Sequence, residues 1–158
     1  MLFAKLRTQL GYAMARKLFN QRWAVENQRI WAWMQERFAR MSRYDDVDAR
    51  AFYGHLLLHR GQGLGAKSEG LRLLVQAAEA GDAKSAYQVG IHALEGALNE
   101  PADAVEAVYW LELAGRGGHP LALRRLLQLY EEGAAHLPAS PDDAQRVKEH
   151  LAVVQGFI

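Results

Sequence analysis

The sequence predicts an all-α protein, a solenoid of stacked helical hairpins with about eight helices in a single domain. Three observations carry that reading. Apolar residues recur at three- and four-residue spacing in one segment after another, the period of a helix with one buried face. Gly81 to Gly118 and Gly96 to Gly133 both span 37 residues, and a fixed interval in this range marks stacked two-helix units. The chain has 158 residues, half of them hydrophobic, which is enough for a real core.

The first segment, MLFAKLRTQLGYAMARKLFN, reads as a helix. Leu2, Leu6, Leu10, Ala13, Met14 and Leu18 line one face, and the cations lie on the others. Lys5 and Arg7 interrupt the first apolar run, while Arg16 and Lys17 interrupt the second. Neither a secretory signal nor a bilayer-spanning segment fits, so a cytoplasmic location is the expectation. The favoured reading packs the apolar face onto a neighbouring helix. The other lays it on a membrane surface.

Residues 21–42 read as a second long helix, with Trp23, Asn27, Ile30, Met34, Phe38 and Met41 on one stripe. Trp31 and Trp33 lie about 200° apart on an ideal helix, so one of them is expected to face away from the core. Residues 1–43 then form a basic helical hairpin that caps the stack. They hold nine basic and two acidic residues, a net of +7, and the remainder holds ten basic and sixteen acidic, a net of −6. Asp45, Asp46 or Asp48 is available to cap the next helix.

Three hairpins follow, at residues 48–82, 83–119 and 120–155. The first carries Ala49, Ala51 and Tyr53, then Gly61-Gln62-Gly63-Leu64, then the run Gln76 to Asp82. In the second, Tyr87, Ile91 and Leu94 form a broad apolar face with Ala86, Val89, Gly90 and Ala93 beside them. Gly96 suits a helix end, Pro101 suits the first turn of the next helix, and Trp110 sits on the border of that helix's apolar face. The third hairpin reads as degenerate: Ala122, Leu126, Tyr130 and Gly133, a longer loop, then a helix capped by Ser140 and opened by Pro141, Asp142 and Asp143. Val147, Leu151 and Val154 supply its buried stripe, and Phe157 is expected either to fray or to fold back over the end of the stack.

The residues Ala83, Ser85, Tyr87, Val89, Gly90, Gly96, Asp103, Ala107, Trp110, Ala114, Gly118 and His119 together resemble the Sel1-like repeat (SLR) pattern. The resemblance covers residues 48–155. It implies a right-handed α/α superhelix related to tetratricopeptide repeats, and a non-enzymatic adaptor role of the kind found in bacterial signalling, envelope and virulence assemblies. In the first hairpin, His55 falls near the usual mid-helix glycine, Ala66 stands for the loop aspartate and Leu73 for the tryptophan.

Motifs for chemistry are weak. The chain has no cysteine, which excludes disulfides, thiolate zinc sites and cysteine nucleophiles. Gly61-Gln-Gly63-Leu-Gly65 superficially suggests a phosphate loop, but it follows a helix rather than a strand. His55 and His59 lie one helical turn apart, which can hold a metal, yet no third ligand is near in sequence. No catalytic site, cofactor or metal is expected.

Two function classes remain. In the favoured one, the first helix of each hairpin lines a groove that binds a peptide or helix of another protein. Its polar stripes are His55 and His59, then Lys84, Gln88, His92 and Glu95, then Arg124, Arg125 and Gln128. In the other, Lys5, Arg7, Arg16, Lys17 and Arg22 bring the chain to an anionic membrane surface. Nucleic acid is disfavoured because the basic helices carry so much apolar surface, and a homodimer through an open end is compatible with few repeats.

Overall fold

The computed structural model describes residues 2–97 and 100–156. Among them are nine helices: α1 (Leu2–Phe19), α2 (Arg22–Glu26), α3 (Gln28–Ser42), α4 (Val47–Arg60), α5 (Gly63–Glu79), α6 (Ala83–Glu95), α7 (Ala104–Arg116), α8 (Pro120–Glu132) and α9 (Pro141–Val154). The β-type contacts recorded are isolated bridges, Ala97 with Glu100 and Ala134 with Leu137. The all-α class stands, with one helix more than expected. The expectation about Phe157 lies outside the described residues. The chain divides into two units, residues 1–73 and 74–158, with the boundary inside α5.

In the first unit the extra helix arises at Asn27. Its backbone is extended, and its side-chain oxygen accepts from the N–H groups of Arg29 and Ile30 at 3.1 and 3.2 Å. An N-cap in mid-segment ends one helix and starts the next, so the expected single helix over 21–42 is α2 and α3. The break also resets the helical phase. Trp23, expected on the buried stripe, is 59% exposed, while Met34, Phe38 and Met41 beyond the break are buried.

Trp31 and Trp33 are both half-buried; neither simply faces away. The Phe19 ring lies 6.2 Å from Trp31, and the Arg37 guanidinium sits 5.4 Å from the Trp33 ring. The core of this unit is an aromatic cluster around Phe38, whose ring meets Phe52 at 4.8 Å, Tyr12 at 6.0 Å and Phe19 at 6.2 Å, each edge to face.

α1 packs against α2 and α3, but of its leucines only Leu18 packs against the core. Thr8 and Ala15 are its buried residues, with Gly11, Tyr12 and Phe19 half-buried around them. Tyr12 and Phe19 are the rings that α1 places in the aromatic cluster, and they fix which face turns inward. Leu2, Leu6, Leu10 and Met14 are consequently exposed.

α4 is capped by Asp46, whose carboxylate accepts from the Ala49 N–H at 2.8 Å. Counted from its cap, Gly54 occupies the place that Gly90 occupies from Asp82 in α6, so the mid-helix glycine is present, directly before His55. The approach of α5 to α4 is close there. A Cβ on Gly70 would stand 2.7 Å from the Leu58 nitrogen and 2.9 Å from the Gly54 carbonyl oxygen.

In the second unit, α6 packs on α7, α7 on α8 and α8 on α9. The inward face of α6 is Ser85, Ala86, Val89 and Gly90; Tyr87, Ile91 and Leu94 are only half-buried at its edge. The small residues win the interior because they let α7 come close: a Cβ on Gly90 would meet Leu111 Cγ at 2.9 Å. Trp110 is buried rather than at a border, and its indole N–H donates to Glu106 at 3.3 Å.

The turn inside each of these two hairpins is the same object. Ala97 and Glu100 exchange backbone hydrogen bonds of 2.7 and 3.0 Å, and Ala134 and Leu137 exchange bonds of 2.8 and 3.0 Å. Asp103 N–H then donates to the Ala93 carbonyl, and Ser140 N–H to the Tyr130 carbonyl, both at 2.8 Å. Gly96 and Gly133 open these turns at φ +69° and +73°, a region other residues avoid. The third hairpin's loop is therefore no longer than the second's. Since α7 starts at Ala104, Pro101 lies in the turn rather than in the helix.

A polar staple ties α7, α8 and α9. The Tyr130 hydroxyl donates to Glu112 at 2.8 Å, and Arg146 donates to Glu112 at 2.7 Å and to Asp143 at 3.1 Å. Burial pushes the Glu112 carboxyl up, but the bonds from Arg146 and Tyr130 outweigh it and hold the carboxyl below its ordinary pKa. A depressed carboxylate pKa contributes stability that is present above the unfolded-state value and fades as pH falls through the folded-state value. Glu112→Gln should cost about 1 kcal/mol at neutral pH. That deficit should vanish in acid, as read by urea unfolding of both proteins across the carboxylate range.

Candidate functional site

The sequence-derived groove residues fall in both units. His55 and His59, on α4, stack with ring centroids 6.2 Å apart and planes 3° from parallel. Among the described residues no three His, Cys, Asp or Glu side chains converge as a metal-binding group. Gly61 is the C-cap of α4, while Gly63 and Gly65 lie in the first turn of α5, so the glycine-rich segment is a helix-to-helix junction.

In the second unit, α6 presents Lys84 and Glu95 exposed and Gln88 half-buried, and α8 presents Arg124, Arg125 and Gln128 exposed. Gln88 and Arg125 are 37 residues apart and occupy the same place in their helices. His92 departs from the stripe: its Nε2 lies 3.5 Å from Glu100 in the following turn. On α8, Arg125 donates to Gln128, and Gln128 donates onward to Glu132 at 3.2 Å. Arg124 forms no ion pair among the described residues.

A contact between α6 and the start of α8 went unread in the sequence. The rings of Tyr87 and His119 stack with centroids 4.6 Å apart and planes 19° from parallel. His119 is also the N-cap of α8, its Nδ1 accepting from the Ala122 N–H at 3.3 Å. That role needs an unprotonated Nδ1. Burial lowers the imidazole pKa and the nearby Lys84 lowers it further, against a smaller rise from Asp82. The signal that could have found it is that both residues belong to the repeat pattern.

The cationic residues of the first unit separate into two kinds. The Arg16 guanidinium lies 3.9 Å from the centroid of the Phe52 ring, and Arg22 pairs with Glu26 at 2.7 Å. Lys5, Arg7 and Lys17 are exposed and form no ion pair among the described residues. No helix among the described residues is long and apolar enough to cross a membrane.

No family model matches the chain, and no curated protein matches it. Solved structures do. The chain is similar to c5321, a protective antigen present in uropathogenic Escherichia coli strains and displaying an SLR fold, with a TM-score of 0.67 and 22% identity over 94% of this chain. It spans 30% of that longer chain. It is also similar to a Sel1 repeat protein from Oxalobacter formigenes, with a TM-score of 0.62 and 27% identity over 75% of this chain and 87% of that one. Helical hairpins closed by identical turns at a 37-residue interval, together with these two likenesses, give one conclusion: the chain carries the Sel1-like repeat fold.

Proposed function

We propose that the chain is a non-enzymatic interaction module whose second unit binds a peptide or short helix of a partner protein across α6 and α8. The observation that supports this most is the contrast between conserved geometry and divergent surface within the chain itself. The two turns repeat bond for bond, whereas matching positions of the two helices, half-buried on α6 and exposed on α8, carry different chemistry, Gln88 against Arg125 and Tyr87 against Arg124. A solenoid keeps what stacks and varies what faces its ligand.

The surface is amphipathic at its edge. Half-buried Tyr87, Ile91 and Leu94 border the polar stripe, and exposed Arg124 offers an unpaired cation. A ligand with an apolar anchor and a carboxylate suits it. Selection of a displayed random-peptide library against the wild-type chain should enrich such peptides. Their affinity should fall about tenfold or more in Arg124→Glu/Arg125→Glu, a loss of the size expected for severed charge pairs. Peptides that bind the double variant as tightly as the wild type would place the site elsewhere.

A further inference from the structure

We propose that the outward face of α1 is a docking surface for an anionic lipid bilayer, on which α1 lies in the plane of the interface. The structure resolves the two faces of this helix. One carries Thr8, Gly11, Tyr12, Ala15 and Phe19 into the aromatic core. On the opposite side Leu2, Phe3, Leu6, Leu10 and Met14 are 52–85% exposed. At about 1.5 Å of rise per residue they form a strip roughly 18 Å long. A surface strip of this length with no polar residue among its large side chains is more than scattered exposed leucines.

Charge selects the occupant. α1 contains no acidic residue, and none occurs before Glu26. Arg7 flanks one edge of the strip and Lys5 the other, and Lys17 stands at its C-terminal end, where a long stem reaches from apolar depth to a charged head. None of these three is consumed by an ion pair among the described residues, unlike Arg22. Beyond Met14 the strip continues into an apolar depression of about 320 Å³ lined by Met14, Leu18, Arg29, Ile30 and Trp33. An apolar strip edged by unpaired cations matches the acyl boundary and phosphates of an anionic leaflet. A second copy of the chain would bring the same cations against themselves, which disfavours self-pairing through this face.

The test uses the full chain and vesicles of phosphatidylcholine with or without phosphatidylglycerol. Co-sedimentation should require phosphatidylglycerol, weaken with added salt, and fall about tenfold or more in Leu6→Glu/Leu10→Glu. Lys5→Glu/Lys17→Glu should weaken it as well. Both leucines are exposed, so the variant's unfolding midpoint should match the wild type and a lost fold cannot account for lost binding. Equal sedimentation with neutral vesicles, or full retention by the leucine variant, overturns the proposal. So does a wild-type dimer that the leucine variant converts to monomer without any vesicle binding, or capture by polyglutamate in place of vesicles; these assign the face to a second copy or to an acidic protein.

Discussion

Phe38→Ala should destabilise the first unit by about 3–5 kcal/mol, the largest single-residue loss expected in the chain. Phe38 is fully buried, and its ring touches Tyr12, Phe19 and Phe52 together. Truncation leaves a cavity between α1, α3 and α4, whose walls are themselves aromatic and cannot collapse without leaving their edge-to-face geometry. Urea unfolding followed by near-ultraviolet dichroism reads the change, because the affected rings supply much of that signal. Phe38→Leu should lose clearly less, since it fills most of the space. A loss below about 1 kcal/mol for the alanine variant would show that this cluster does not hold α1 in place.

Gly70→Val comes next, at about 3 kcal/mol, the upper range for overpacking. The atoms a side chain would meet are backbone atoms of α4, the Leu58 nitrogen and the Gly54 oxygen, which cannot rotate aside. The diagnostic variant is the smaller one. In a helix interior Gly→Ala normally gains about 0.5–1 kcal/mol through propensity, so a loss in Gly70→Ala reverses the usual sign. Gly65, on the same helix, has nothing within 4 Å of its would-be Cβ. Gly65→Ala should therefore stabilise while Gly70→Ala destabilises, as measured by paired denaturant midpoints. Two changes of the same sign would refute the close helix approach.

The repeats were legible because their geometry is written in small residues and glycines. Gly90 and Gly96 each occupy a place where a side chain would meet a neighbour, and Ala107 is fully buried, so their spacing transmits the hairpin directly. The N-terminal helices carry no such code. α1 is apolar on two faces, and periodicity alone prefers the leucines; only the aromatic cluster, assembled from three separate helices, selects Tyr12 and Phe19 instead. The break at Asn27 had a local cause, a side chain that competes for backbone N–H groups, hidden in a convincing helical period. At the candidate site the sequence supplied a list of polar residues but not their commitments. His92 turning to Glu100, Arg125 to Gln128 and Arg16 to Phe52 are choices of rotamer and neighbour, made only in three dimensions.

The paired turns have a consequence for how such a chain grows. The segments Gly96–Asp103 and Gly133–Ser140 share Gly, Ala, Pro and Ala at matching places, and they join their helices through backbone hydrogen bonds and one capping side chain of their own, Asp103 or Ser140. The joint is thus largely indifferent to what the helices display. Duplication of one 37-residue segment would splice a further hairpin into the chain with its couplings already made. Selection could then rewrite the new copy's outward residues without paying again for architecture. Length and recognition become separately adjustable variables, which is the property that lets one short motif generate readers of very different span.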